Sequence, residues 1–320
     1  MGISPKIMYV RISENCNSHC FMCHYAGTTN SYNITIEQYK ELLEHMKKYD
    51  YKVIRFTGGE PLLHKDLFTF IKMAKQNGLK TSIITNGFLL DRYAKKLITS
   101  GLDQCIISLD GSCSDIHDKL RNFKGCFNNI IAGIKKLRFY RSDMFIRVNT
   151  VVSGKNIHDI CNIYKLLVSL SIDQWSIIPV KYKENLWTVD SLKYYDEFQE
   201  LVKDTNHPLF LDNSKHFAGK TSEEIKATFN NNLLIKPKNK CSVVDYVRFY
   251  IPDKNLLVPC NCISHRLKQI PFELNDNMEE CCEKIRVWLK ENSTNCTGCE
   301  PLNDYINDNP KIMLEDDIKY

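Results

Sequence analysis

Residues 7 to 23 read IMYVRISENCNSHCFMC, an apolar run followed directly by three cysteines. The first part, rich in β-branched and aromatic side chains, predicts a strand. Cys16, Cys20 and Cys23 follow it at spacings of three and then two intervening residues. Three thiolates in one loop can hold three corners of a cubane iron-sulfur cluster and leave the fourth iron open. A structural zinc site is the alternative, and its usual four ligands would require a nearby histidine as well.

The chain continues with five more short apolar runs that alternate with stretches of helical periodicity. Strands are predicted at 7–13, 53–58, 81–87, 104–111, 145–153 and 175–180, and helices at 35–48, 66–76, 91–99, 127–139, 156–169 and 191–203. Strands that each feed a helix predict a parallel sheet covered by helices. An open doubly wound sheet and a barrel or partial barrel both fit this pattern. In both, ligands gather at the carboxyl ends of the strands.

The composition is that of an ordinary globular protein of 320 residues, with 43% hydrophobic and 25% charged residues. A formal charge of +5, from 43 basic and 38 acidic side chains without a basic run, does not indicate nucleic-acid binding. The sequence shows no apolar run long enough for a membrane span and no secretory signal, so we expect a cytoplasmic protein. In that reducing compartment, the fourteen cysteines indicate metal ligation or catalysis more than disulfides.

Short polar motifs follow four of the predicted strands in order: CNSHCFMC, then FTGGEPLLH at 56–64, TNG at 85–87 and SLDG at 108–111. This ordered set resembles the radical S-adenosylmethionine (SAM) superfamily over residues 7 to 180. The resemblance implies a partial (β/α)6 TIM-like barrel whose three cysteines bind a [4Fe-4S] cluster, with SAM on the open iron. It also implies reductive cleavage of SAM to a 5'-deoxyadenosyl radical that abstracts hydrogen from a substrate. The electron would come from a donor such as flavodoxin or ferredoxin.

The resemblance also implies residues that contact SAM. Gly58 and Gly59 would let the backbone approach a bulky cofactor, and Glu60 would accept hydrogen bonds from the methionyl ammonium. Ser108 and Arg121 match cofactor-binding positions, and the Arg121 guanidinium suits a carboxylate because it can form a forked pair. The remaining candidates are Met22 beside the adenine, Asn86 and Arg147. The last two also fit a turn residue and a surface cation.

Seven of the fourteen cysteines lie after residue 240. The spacing of Cys241, Asn255 and Cys260 resembles the start of a SPASM domain or the shorter twitch domain. Asn255 stands where such domains have a turn glycine, and asparagine tolerates the left-handed conformation. Cys296 and Cys299 would complete four thiolate ligands for an auxiliary [4Fe-4S] cluster. A four-cysteine zinc ribbon is the alternative.

The other cysteines have no assigned metal. Cys262, Cys281 and Cys282 are spare in this scheme, and they are candidate hydrogen-atom donors or packing residues. Four cysteines in the barrel are interpreted as core or incidental thiols: Cys105, Cys113, Cys126 and Cys161.

We predict a barrel domain at 1–205, a bridging segment at 206–240 and a twitch-like or SPASM-like domain with a tail at 241–320. The first strand begins near residue 7, which leaves no room for a preceding leader-binding domain and disfavours a maturase of ribosomal peptides. We therefore predict a radical SAM enzyme that dehydrogenates, epimerises or decarboxylates a small hydroxylated substrate in a biosynthetic pathway. Such a substrate would be a sugar, aminoglycoside or nucleoside.

Two alternatives stay open, a radical SAM peptide maturase and a non-catalytic iron-sulfur or zinc sensor. The loop PVKYKENLW at 179–187 should face the cavity. Four of its side chains could bind a polar or anionic substrate, or could form a solvated loop: Lys181, Lys183, Glu184 and Trp187.

Overall fold

One eight-stranded sheet organises the computed structural model, in the order β6-β5-β4-β3-β2-β1-β7-β8. The structure describes residues 7–23, 32–180, 192–201, 209, 243–260, 267–275 and 277–292. The strands are β1 (Ile7–Ser13), β2 (Val53–Gly58), β3 (Lys80–Thr85), β4 (Gln104–Ser108), β5 (Phe145–Val152), β6 (Gln174–Pro179), β7 (Val247–Ile251) and β8 (Leu256–Val258). All neighbouring strands pair in parallel except β7 and β8, which are antiparallel. The predicted parallel sheet and partial barrel are confirmed.

Helices connect the strands along the chain. They are α1 (Ile36–Lys48), α2 (Leu67–Gln76), α3 (Leu90–Ser100), α4 (Ser114–Arg121), α5 (Cys126–Tyr140), α6 (Ile160–Ser169), α7 (Leu192–Leu201), α8 (Val243–Tyr246) and α9 (Met278–Asn292). The predicted start of α1 is confirmed by a capping box, in which Thr35 Oγ1 accepts from Gln38 N and Gln38 Oε1 accepts from Thr35 N. Among the described helices, none has the length and apolar content to cross a membrane.

The strands of the barrel have one apolar face and one polar face. Met8, Val10, Phe56 and Ile83 are fully buried in the same core as the apolar faces of the helices. Because side chains alternate along a strand, the intervening positions face the opposite, concave side. That side carries Tyr9, Arg11, Arg55, Ser82, Gln104, Ser108, Arg147, Asn149, Gln174 and Ser176.

A row of hydrogen bonds crosses this concave face near the start of the strands. Arg55 lies in register with Tyr9 on one side and Ser82 on the other, and Ser82 lies in register with Gln104. The buried guanidinium donates to Tyr9 Oη at 2.6 Å, Ser82 Oγ at 3.1 Å and Gln104 Oε1 at 3.1 Å. Polar side chains therefore tie four strands together below the carboxyl ends of the sheet.

The C-terminal region joins the sheet of the barrel. β7 pairs with β1, and the rings of Tyr9 and Phe249 stack with centroids 4.7 Å apart. Beyond β7, a smaller core contains Ile251, Leu256, Val258, Ile270, Cys281 and Ile285. The region thus has its own core but shares strand pairing with the barrel. The predicted domain boundaries, near residues 205 and 240, lie outside the described residues.

Candidate functional site

The cysteine loop, residues 14 to 23, begins where β1 ends and is attached to the end of β2. Gly59 N donates to Ser13 O at 2.8 Å, and Glu60 N donates to Asn15 O at 2.7 Å. A Cβ on Gly58 would lie 2.0 Å from Ser13 O, and one on Gly59 would lie 2.2 Å from Asn15 O. Both glycines are therefore required by contact with the root of the cysteine loop. This reason differs from the approach to a cofactor that the sequence suggested.

Glu60 joins β2 to β3 through a fully buried carboxylate. Its Oε1 accepts from Thr85 Oγ1 at 2.7 Å and from Leu62 N at 3.0 Å, and its Oε2 accepts from Asn86 N at 2.6 Å. Burial raises the pKa of Glu60 to about 7, although these hydrogen bonds act in the opposite direction. The carboxylate is engaged by protein donors, so its contact with the methionyl ammonium stays a prediction.

Asn86 connects the end of β3 to the middle of the cysteine loop. Its Nδ2 donates to Asn17 Oδ1 at 2.7 Å, and its Oδ1 accepts from Phe88 N at 3.0 Å. The TNG motif therefore supports the loop that carries the thiols.

Arg121, the last residue of α4, reaches the cysteine loop from the other side. Its Nε lies 2.7 Å from Asp110 Oδ2, and its Nη1 lies 3.7 Å from Cys20 Sγ. The Ser18 hydroxyl donates to Arg121 O at 3.0 Å. α4 was not predicted from the sequence. His117, Leu120 and Arg121 are buried along it, and their spacing of three and four residues is typical of one face of a helix.

The three predicted cluster ligands lie in this loop with different exposure. Cys20 is buried, Cys16 is half-buried and Cys23 is exposed. Within the described residues, no three His, Cys, Asp or Glu side chains are grouped closely enough to hold a metal ion. The fit to a [4Fe-4S] cluster with one open iron therefore rests on the donor set, which is three thiols on one loop. Burial raises the pKa of Cys16 to about 11, so iron binding would release its proton.

Comparison with known proteins identifies the family of the chain. A model of the Radical SAM superfamily matches residues 10–167. A probable GTP 3',8-cyclase from Methanococcus aeolicus is 31% identical over 306 residues, covering 89% of this chain and 97% of the relative. The chain belongs to the radical SAM superfamily. The [4Fe-4S] cluster and SAM predicted from the sequence are the cofactors of this superfamily and therefore of the chain.

Other matches of this radical SAM chain are more limited. An AdoMet-dependent heme synthase from Methanosarcina barkeri is 28% identical over 173 residues, and the chain spans only 49% of its length. The solved structure of anSMEcpe with bound AdoMet and a peptide superimposes with a TM-score of 0.66 at 16% identity, covering 94% of this chain and 88% of that one. This likeness shows the fold alone.

The remaining SAM candidates of the radical SAM chain are Ser108 at the end of β4, Arg147 near the start of β5 and Met22 in the cysteine loop. Ser108 and Arg147 are partly exposed on the concave face, and Arg147 Nε donates to Asn149 Oδ1 at 3.0 Å. Met22 packs against the edge of the main core. Beside it, Lys155 Nζ lies 4.6 Å from the centre of the Phe21 ring. These positions are compatible with the predicted SAM contacts, which stay predictions.

The auxiliary site of the radical SAM chain is described only in part. Asn255 adopts the predicted left-handed conformation with φ of 44°, and Cys260 is half-buried. The other predicted ligands, Cys241, Cys296 and Cys299, lie outside the described residues, as do the loop with Lys181, Lys183, Glu184 and Trp187 and the candidate donor Cys262. The four-thiolate cluster therefore stays a prediction.

Cys281 and Cys282 are fully buried on α9. Cys281 Sγ lies in the small core and donates to Asn275 O at 3.1 Å, whereas Cys282 packs in the core of the barrel. A hydrogen-atom donor must touch the substrate, so this burial favours the packing role over the donor role, which stays a prediction. The interpretation of Cys105 and Cys126 as core thiols agrees with their full burial.

Gly59→Ala is expected to displace the root of the cysteine loop, because the new Cβ would overlap Asn15 O. The overlap should cost about 1 to 3 kcal/mol in the free energy of unfolding and lower the iron content after reconstitution. Gly78→Ala is the control, since nothing lies within 4 Å of its Cβ position and only its φ of +75° opposes the change. Equal iron content in the Gly59 variant and wild type would contradict the role of this contact.

Glu60 should make the metal-free chain less stable as the pH rises. Its folded-state pKa of about 7 lies above the usual value of 4.5 for a glutamate, so the folded chain holds the proton more tightly. The protonated Glu60 therefore contributes roughly 3 kcal/mol to the free energy of unfolding below about pH 4.5. This contribution is lost as the pH rises through about 7. Urea unfolding of wild type and Glu60→Gln between these pH values measures it. Parallel pH profiles for the two proteins would contradict the assignment.

Proposed function

We propose that this chain abstracts a hydrogen atom from a small hydroxylated substrate, of which a nucleotide is the first candidate. The observation that carries the proposal is the polar concave face, which runs from the row around Arg55 to Ser108 at the carboxyl end of β4. Hydroxyl, amide and guanidinium groups dominate this face, and they suit a substrate that is rich in hydrogen-bonding groups.

The charge on the concave face favours an anionic group in that substrate. Arg11, Arg55 and Arg147 lie on the inward positions of β1, β2 and β5, and the inward positions of the described strands carry no Asp or Glu. Arg147 lies in register with Ile106 of β4 and Gln174 of β6. Ile106 is the next inward residue after Gln104, so Arg147 lies one inward position nearer the carboxyl ends of the strands than Gln104 does. Guanidinium groups bind carboxylates and phosphates through charge-assisted hydrogen bonds.

The relatives support the same class of substrate. The relative that this chain covers almost completely is named for GTP, a nucleotide with hydroxyl and phosphate groups. The heme synthase is covered over only half of its length. The peptide-bound structure supports the fold and makes a peptide substrate an outcome to test.

The residues of the chain then have distinct tasks. Cys16, Cys20 and Cys23 would hold the cluster, which supplies the electron that cleaves SAM. Gly59 and Glu60 fix the root of the cysteine loop, and Asn86 fixes its middle. The concave face binds and orients the substrate, which allows the radical to attack one hydrogen. The outcomes predicted from the sequence are a dehydrogenated, an epimerised or a decarboxylated product.

The proposal is tested with the reconstituted full chain under anaerobic, reducing conditions. Deuterated GTP, other nucleotides, nucleosides, sugars and aminoglycosides are each supplied with SAM, and 5'-deoxyadenosine is measured by mass spectrometry. Deuterium from one of these molecules should appear in 5'-deoxyadenosine. Cys16→Ala should abolish the product, whereas Cys161→Ala, a half-buried cysteine on α6, should keep it. Deuterium transfer from a peptide library alone would overturn the proposal.

Arg147→Gln should weaken the binding of a phosphorylated substrate more than that of its neutral analogue. Loss of one charge-assisted hydrogen bond costs about 1.5 to 3 kcal/mol, which corresponds to at least about a tenfold rise in KM. KM values for a nucleoside triphosphate and its nucleoside provide the measurement. Arg92→Gln, an exposed arginine on α3, is the control. Equal changes for the two substrates would argue against an anion-binding role.

A further inference from the structure

The contact between Arg121 and Cys20 has no counterpart in the roles predicted from the sequence, which paired this arginine with the carboxylate of SAM. Arg121 Nη1 lies 3.7 Å from Cys20 Sγ, within hydrogen-bonding range for sulfur. Both residues are buried. A guanidinium therefore lies directly against one of the three cluster ligands.

Asp110 holds this guanidinium in place. The carboxylate is fully buried, and its Oδ2 lies 2.7 Å from Arg121 Nε. Its other oxygen accepts from Val151 N at 2.8 Å, and its own backbone N donates to His117 Nδ1 at 3.0 Å. Two of these contacts hold the carboxylate, and the third holds the backbone of Asp110. The ion pair is consequently oriented with its positive end toward Cys20.

A second connection joins the same two elements. The Ser18 hydroxyl donates to Arg121 O at 3.0 Å, and Ser18 Oγ lies 2.9 Å from Cys20 Sγ. The end of α4 is thus attached to the cysteine loop through both its backbone and its side chain. The position of the guanidinium relative to Cys20 is therefore set by the fold, not by one flexible side chain.

We propose that Arg121, oriented by Asp110, is a positioning residue that donates to Cys20 Sγ and raises the reduction potential of the SAM-binding cluster. Hydrogen bonds to ligand sulfurs are among the determinants of iron-sulfur potentials. One-electron reduction adds a negative charge beside Cys20. A fixed positive charge at this buried position stabilises the reduced state more than an exposed charge would. The inference rests on the cluster assignment and is independent of the substrate.

The test is a potentiometric titration of the reconstituted full chain, followed by electron paramagnetic resonance without SAM. The signal of the SAM-binding cluster is identified as the one that changes when SAM is added. In Arg121→Gln, the ratio of reduced to oxidised cluster at the wild-type midpoint should fall about tenfold. For a one-electron couple this equals a midpoint about 59 mV lower. Arg92→Gln should leave the midpoint unchanged.

Two further variants keep the test decisive if Arg121→Gln does not fold. Arg121→Lys retains the charge but cannot reach Asp110 and Cys20 with a planar fork, so a smaller fall is expected. Ser18→Ala removes the hydroxyl that donates to Arg121 O and so loosens the attachment of α4 to the cysteine loop. It should lower the midpoint by less than Arg121→Gln does, with Arg121 intact. If Arg121 serves only the carboxylate of SAM, its variants will lose SAM affinity while the midpoint without SAM stays at the wild-type value. That result would overturn the proposal.

Discussion

A buried carboxylate holds together the ends of the first strands of this barrel. Glu60 follows β2, accepts from Thr85 and Asn86 at the end of β3, and through its own backbone N holds the root of the cysteine loop. Burying a carboxylate costs free energy unless several donors satisfy it. The GGEP motif thus links β2 to β3 and fixes the position at which the cysteine loop begins.

The cysteine loop is supported on three sides by different elements. β2 supports its root, β3 supports Asn17 through Asn86, and α4 supports Ser18 and Cys20 through Arg121. Backbone contacts dominate at the root, whereas side chains dominate near the thiols. The backbone that carries the thiols is therefore held in place. A loop without this support would lose conformational entropy each time it bound a cluster.

The sequence predicted the barrel well because its strands and helices have strong periodicity. β1 and β2 match the predicted ends, and the capping box at Thr35 is present. β7 was missed because Val247 to Ile251 lacks the alternation of a half-buried strand, and α9 was missed because its two adjacent cysteines were interpreted as spare thiols and not as part of a helix. The motifs identified the correct loops, but residue roles depended on partners distant in sequence. Asp110 and Arg121 show this, since only the fold reveals that the pair faces Cys20.

The concave face and the cysteine loop meet at one edge of the sheet, and this arrangement constrains what each can do. The hydrogen bonds of Arg55 with the side chains of Tyr9, Ser82 and Gln104 occupy the part of the concave face near the start of the strands. Ser108, the last residue of β4, and Arg147, one inward position beyond the level of Gln104, are partly exposed. A substrate bound there is held by groups on rigid strands, which limits its motion. Because a carbon radical attacks whichever hydrogen is nearest, that rigidity, more than the reactivity of the radical, must select the bond.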